Sequence, residues 1–185
     1  MRCKGECGVY RYLSVENKTR KRVMNLEHIS ASCIRSFYDV NQEPRLKPSG
    51  LWLSSPGAWA SWSKDASASW VCTMEIDDTV FCAHPWASNA FDDDHHIIRV
   101  DMSSPDQLYS FIERYRYDGY ENEVDWRKVQ REFGGVYFYN IGKMPSSYNV
   151  QFHDDGCWIL SIDVDSVCIW NKRSLGATHW TRSGS

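Results

Sequence analysis

The sequence predicts an α+β fold: a single domain with mixed, mainly antiparallel sheets and a few peripheral helices. Short apolar stretches typical of strands recur along the chain, whereas helical spacing of apolar residues is confined to a few segments. The two kinds of segment do not alternate in a repeated βαβ rhythm, which argues against a doubly wound fold. The 185 residues suffice for one domain over 1–185, with its core at about 23–171 and flexible termini.

The first half of the chain predicts three strands and one short helix. The strands are Val23–Ile29, Leu51–Leu53 and Trp70–Ile76. Pro48 and Gly50 interrupt whatever precedes the second strand, and a proline ends it. From that proline, Pro56–Ser67 favours a short helix with Trp59 and Trp62 on neighbouring turns. The segment therefore predicts a strand that leads directly into an aromatic cluster.

The second half predicts a strand at Ile97–Asp101 and then a helix that starts at Ser104 and Pro105. One face of this helix is apolar: Leu108, Phe111, Ile112 and Tyr115. A second helix is predicted over Val124–Phe133, with Asp125 at the positive end of its dipole. The remaining predicted strands are Val136–Ile141, Cys157–Ile162 and Ser166–Asn171.

Composition excludes several classes of function. The net charge is -3, and the only basic run is Lys18–Arg22, so no broad nucleic-acid surface is indicated. Seven scattered cysteines and no apolar N-terminal stretch predict an intracellular, cytoplasmic setting without a membrane span. Cys3 and Cys7 have no partner pair at ligand spacing, so no metal site is expected. The serine-hydrolase elbow, the Walker loop and the zinc-protease helix are absent from the sequence.

Aromatic residues make up 14% of the chain, including nine tryptophans. They serve both buried cores and sites that stack flat rings. In the run Lys47–Trp62, a short strand is followed by Ser54 and Ser55 and then by the tryptophans Trp59 and Trp62. The run is typical of a pocket floor, and equally of an ordinary strand and turn whose tryptophans fill a core.

Five short segments follow one another in a characteristic order: Leu26–Ile29, Gly50–Ser55, Ala58–Trp62, Val124–Val129 leading into Phe133–Val136, and Cys157–Asp163. In this order they resemble the ADP-ribosyltransferase-like fold of bacterial toxins and their phage and viral relatives. The resemblance spans roughly residues 23–171 and implies a split β-sandwich. It also implies NAD as the substrate and a protein or nucleic acid as the acceptor of ADP-ribose.

The resemblance implies NAD contacts at the following side chains: His28 on the ribose, Ser54 and Ser55 beside it, Trp52 or Tyr38 on the nicotinamide ring, and Arg35 or Arg45 on the pyrophosphate. Cleavage of the nicotinamide bond passes through an oxocarbenium-like state, which a carboxylate stabilises. Transferases of this fold carry a glutamate near the start of the last strand, where this chain has Asp155, and the later Asp163 is the other candidate.

The chain departs from the family pattern at this acid, and also at Phe133–Gly135, where a glycine replaces the usual aspartate. Two hypotheses follow. The first is an NAD-dependent ADP-ribosyltransferase. The second is a catalytically inactive, tryptophan-rich binding or structural module with the same fold.

Overall fold

The structure, a computed structural model, describes residues 22–30, 36–43, 47–59, 70–82, 96–118, 120–145, 148 and 161–182. Ten strands lie in this part of the chain: β1 (Val23–Ser30), β2 (Leu51–Ser54), β3 (Trp70–Asp77), β4 (Phe81–Cys82), β5 (Ile97–Asp101), β6 (Arg116–Tyr117), β7 (Tyr120–Val124), β8 (Gly135–Tyr139), β9 (Ser166–Ile169) and β10 (Ala177–Arg182). Its two longer helices are α1 (Pro105–Tyr115) and α2 (Trp126–Gln130). The predicted α+β class is confirmed.

Eight strands form one mixed sheet in the order β10-β3-β1-β2-β9-β8-β5-β4, and β6 pairs with β7 in a separate hairpin. The pairs β4–β5 and β5–β8 are parallel, and the others are antiparallel. The parallel pair β5–β8 is joined through α1, the β6–β7 hairpin and α2, because parallel neighbours need a long crossover. The sheet is therefore mainly antiparallel, as predicted.

The sheet curls on itself. The second strand from one edge, β3, is joined to β4 at the opposite edge by the 3-10 helix Asp78–Val80. Three residues span only about 10 Å, so the two ends of the sheet have to approach each other. The concave face then packs strand residues against one another: Leu26, Leu51, Leu53, Cys72, Met74, Ile76, Phe81, Ile97, Val167 and Ile169.

The helices cover the opposite, convex face. All four residues of the predicted apolar face of α1 are buried, and so are Trp126 and Val129 of α2. They pack on residues of the sheet, among them Val100, Val136 and Phe138. Neither described helix is long and apolar enough to cross a membrane.

Three predicted elements have wrong boundaries; one of them, the strand predicted at Ser166–Asn171, ends at Ile169. The strand predicted to reach Ile141 ends at Tyr139, because Asn140 adopts a left-handed conformation with φ 60° and ψ 30°. The second helix begins only after Asp125, because Val124 belongs to β7. It ends at Gln130, and the chain then turns towards the sheet, where the Gly134 N–H donates to the carbonyl of His96, the residue before β5.

Two predicted elements are covered only in part by the described residues. The strand predicted at Cys157–Ile162 lies largely outside the described residues, and Ser161 and Ile162 are not in a strand. The helix predicted at Pro56–Ser67 is described only over 56–59, where Pro56 and Gly57 lie in a turn and Ala58 and Trp59 are helical. Neither the β6–β7 hairpin nor β10 was predicted.

Candidate functional site

At the centre of the sheet, the pairing of β1 with β2 is incomplete. Whereas β1 pairs with β3 along its whole length and β2 pairs with β9 at every residue, β1 and β2 are bridged only at Glu27 and Ser54. Beyond this bridge, His28–Ser30 and Leu51–Leu53 are not paired with each other. We call this region, together with its flanking side chains, the β1–β2 opening.

The imidazole of His28 spans the β1–β2 opening. Its Nδ1 lies 2.7 Å from the carbonyl oxygen of Trp52. A carbonyl can only accept, so Nδ1 carries the proton and donates it. In the neutral ring this leaves Nε2 as the acceptor nitrogen. The half-buried His28 is therefore held in one tautomer by the backbone of β2.

The end of β2 forms a tight turn that Glu27 supports. The Gly57 amide donates to Oε2 of Glu27 at 3.0 Å, and the Ala58 amide donates to the Ser55 carbonyl at 3.0 Å. Ser54 is 0% exposed, and its hydroxyl donates to the same carbonyl at 3.3 Å. Ser55 is exposed. Both serines thus lie at the predicted strand end, but only Ser55 faces solvent.

Trp52 is fixed on the convex side of the sheet. Its indole Nε1 donates to the Pro48 carbonyl at 3.3 Å, and its ring stacks on Phe138 with a centroid separation of 6.4 Å. Nζ of the exposed Lys47 lies 5.8 Å from the ring centroid. A ligand ring that stacks on Trp52 therefore has to share or displace the position of this ammonium.

Two buried or half-buried glutamines fix the backbone around Lys47. The side chain of Gln42, 5% exposed, accepts from the Ser49 amide at 2.9 Å and donates to the Ser49 carbonyl at 2.6 Å. Gln130 of α2 accepts from the Gln42 amide at 2.8 Å and donates to the Val40 carbonyl at 3.0 Å. We call the described pieces 40–42 and 47–49 the strap, because they run to β2 while bound to α2.

Asp163 lies on the chain just before β9. It is exposed and precedes Ser166, the register partner of Ser54, by three residues. Three residues reach at most about 10 Å, so Asp163 lies at the same end of the sheet as Ser54 and Ser55. Its neighbour Asp165 accepts from the Ile141 amide at 2.9 Å and anchors this turn.

The remaining predicted site residues either lie away from the β1–β2 opening or fall outside the described residues. Tyr38 is 74% exposed, and the nearby Val40 bonds to the Trp170 carbonyl beyond the other end of β9. Arg35, Arg45 and Asp155 lie outside the described residues, so their predicted roles stay predictions. Within the described part, no three histidine, cysteine or acidic side chains are grouped as metal ligands.

The two faces of the sheet divide the site. Leu26 and Leu53 belong to the concave core. Because alternate residues of a strand share a face, the side chain of His28, two residues after Leu26, leaves β1 on the concave face. Trp52 packs against the convex core, and Ser54 shares its face of β2. A ligand that contacts both His28 and Trp52 therefore has to lie across the β1–β2 opening and not along one face.

Three residues of this region had no role in the sequence-based interpretation: Glu27, Gln42 and Lys47. Glu27 and Lys47 could have been found from the sequence, because Glu27 directly precedes His28 and Lys47 directly precedes Pro48. Gln42 gave no signal, because its partners come from residues seven and 88 positions away.

No protein-family model, curated protein sequence or solved structure matches this chain.

Proposed function

We propose that the chain is an ADP-ribosyltransferase that binds NAD at the β1–β2 opening and transfers ADP-ribose to a protein or nucleic-acid acceptor. The finer fold assignment, a split β-sandwich of ADP-ribosyltransferase type, is part of this proposal. The observation that carries it is the hydrogen bond from His28 Nδ1 to the Trp52 carbonyl. It leaves Nε2 as an acceptor for a ribose hydroxyl in the neutral ring.

The chemistry needs a carboxylate near the ribose. When the bond from C1′ to nicotinamide breaks, nicotinamide keeps the electron pair and the sugar becomes positively charged. An anion placed beside it stabilises this charge. The acceptor then forms the new bond to C1′ and releases a proton. Asp155 and Asp163 are the candidates from the sequence, and Glu27 is a third that the geometry adds, because it is the bridge partner of Ser54.

A specific observation favours the second candidate, a binding module without turnover. Ser54 is fully buried, and the Trp52 ring stacks on Phe138 while Lys47 lies near it. These side chains thus have structural partners already. Such a module binds a partner or nucleotide at the opening but does not release nicotinamide.

Nicotinamide release from labelled NAD, measured with candidate protein and nucleic-acid acceptors, separates the two functions. We expect release and label transfer by the parent protein. His28→Ala should lower the rate about tenfold or more, since it removes the acceptor for the ribose. Among Glu27→Gln, Asp155→Asn and Asp163→Asn, the variant that lacks the acid should lose about 100-fold or more.

His96→Ala is the matched control, because His96 lies ahead of β5 and outside the β1–β2 opening. Melting curves with and without NAD report binding independently of turnover. If NAD raises the melting temperature and no acceptor is labelled, the binding module is the correct function. If the protein shows no turnover and NAD does not shift its melting temperature, both the transferase and an NAD-binding module are contradicted.

A further inference from the structure

We infer that Lys47, positioned by the strap, binds the phosphate of a nucleotide whose ring stacks on Trp52. The location of the ring rests on the proposed function, but the role of Lys47 is a separate claim about ligand class. The ligand is a mononucleotide unit, an aromatic base with a sugar phosphate.

The first step concerns the charge of Lys47. Its side chain is exposed, and its ammonium lies 5.8 Å from the Trp52 centroid, within the usual range of a cation–π contact. In the part of the chain that the structure describes, no carboxylate is within ion-pair distance of this ammonium. The positive charge at the β1–β2 opening is therefore not neutralised by a described side chain.

The second step concerns rigidity. The Trp52 ring is held on two sides, by the Pro48 carbonyl and by Phe138. The backbone that carries Lys47 is fixed two residues later, where the buried Gln42 amide makes both hydrogen bonds with the Ser49 backbone. The ring and the base of the lysine are thus ordered before a ligand arrives, which lowers the entropic cost of binding.

The third step concerns exchange of partners. A planar ring that stacks on Trp52 displaces the Lys47 ammonium from the indole face. An exposed cation–π contact is weak, whereas an ammonium bonded to a phosphate is a charge-assisted hydrogen bond and is stronger. A ligand that brings both a ring and a phosphate therefore replaces the contact it breaks. A nucleoside offers the ring alone and leaves the displaced charge without an anion.

The probes are two matched pairs: adenosine with AMP, and nicotinamide riboside with nicotinamide mononucleotide. Binding to the full chain is measured by calorimetry at low salt. We expect each nucleotide to bind about tenfold more tightly than its nucleoside. Lys47→Gln should remove this preference, and Lys47→Arg should retain most of it, because arginine keeps the charge.

Lys143→Gln is the control, since Lys143 is exposed in the 3-10 helix Ile141–Lys143 after β8. Gln42→Ala tests the positioning role: it should reduce the nucleotide preference while the nucleoside affinity changes less. If Lys47→Gln binds nucleotides as the parent does, or if the parent binds neither member of either pair, the inference is wrong. Phosphate-dependent binding without NAD cleavage would uphold the inference and count against the transferase.

Discussion

Gly50 marks where the backbone of β2 comes too close to β9 for any side chain. It has a φ of +156°, and a Cβ placed on it would lie 2.4 Å from the Ile169 carbonyl oxygen. Gly50→Ala should therefore force β2 away from β9 and lower the free energy of unfolding by about 2–4 kcal/mol. Urea unfolding measures this loss.

The control for this substitution is Gly142→Ala, because a Cβ on Gly142 meets nothing within 4 Å. It should change stability by less than about 0.5 kcal/mol. Equal effects of the two substitutions would show that the close approach of the backbone to β9 does not exclude a side chain at position 50.

His28 gives a second prediction at the scale of the residue. Because Nδ1 donates to the Trp52 carbonyl, the neutral ring should carry its proton on Nδ1 and not on Nε2. Nitrogen-15 NMR of the imidazoles at a pH where they are neutral distinguishes the two tautomers. His28→Ala identifies the signal by its loss. An Nε2-protonated His28 would contradict the hydrogen bond on which the proposed function depends.

At the scale of the element, α2 depends on the carboxylate of Asp125 as its N-cap. The backbone N–H and the guanidinium of Arg127 both donate to this nearly buried side chain. These bonds from Arg127 hold the pKa of Asp125 below its ordinary value of 3.8. A lowered pKa means that the folded state favours the ionised form, so Asp125 stabilises the fold when it is charged.

Asp125→Asn tests this charge, because asparagine can still cap the helix. The substitution should lower stability by about 1 kcal/mol at neutral pH. The contribution of the ionised Asp125 is present above the ordinary pKa and is lost as the pH falls through the lower folded value. The difference between parent and variant in urea unfolding should therefore shrink below about pH 4. A difference that stays constant down to acid pH would contradict the role of the charge.

The elements themselves are where sequence patterns were most successful. The strands β1, β2, β3 and β5 were predicted within one residue, and the four apolar residues of α1 are buried together. These patterns are local, since each depends on alternation, helical spacing or a cap within a few positions. The end of β8 was missed because Asn140 adopts a left-handed conformation, which asparagine tolerates but which its presence alone does not dictate.

At the scale of the whole molecule, the ion pair of Arg99 and Asp78 links the two ends of the curled sheet. Arg99 lies on β5, and Asp78 begins the 3-10 helix between β3 and β4. The guanidinium also lies 4.9 Å from the centroid of the Phe81 ring. Arg99 thus makes both an ion pair and a cation–π contact at the place where the two ends of the sheet approach each other.

A double-mutant cycle of Arg99→Gln and Asp78→Asn measures this link. Because both side chains are partly exposed, at 25% and 36%, we expect a coupling energy of only about 1 kcal/mol in urea unfolding. The coupling should weaken in high salt. Zero coupling would mean that the apolar concave core alone holds the sheet curled.

Sequence alone determined the strands β1, β2, β3 and β5, the helix α1 and the face of α1 that is buried, since these depend on neighbours along the chain. The family resemblance named His28, Trp52, Ser54 and Ser55 as NAD contacts, and these roles stay predictions. Tertiary structure decided the strand order, the curl and the single bridge between β1 and β2. It also decided that His28 bonds to the Trp52 backbone and that Gln130 holds the strap. Those partners are 24 to 90 positions apart, and contacts at such separations follow from packing of the whole chain, which no local pattern encodes.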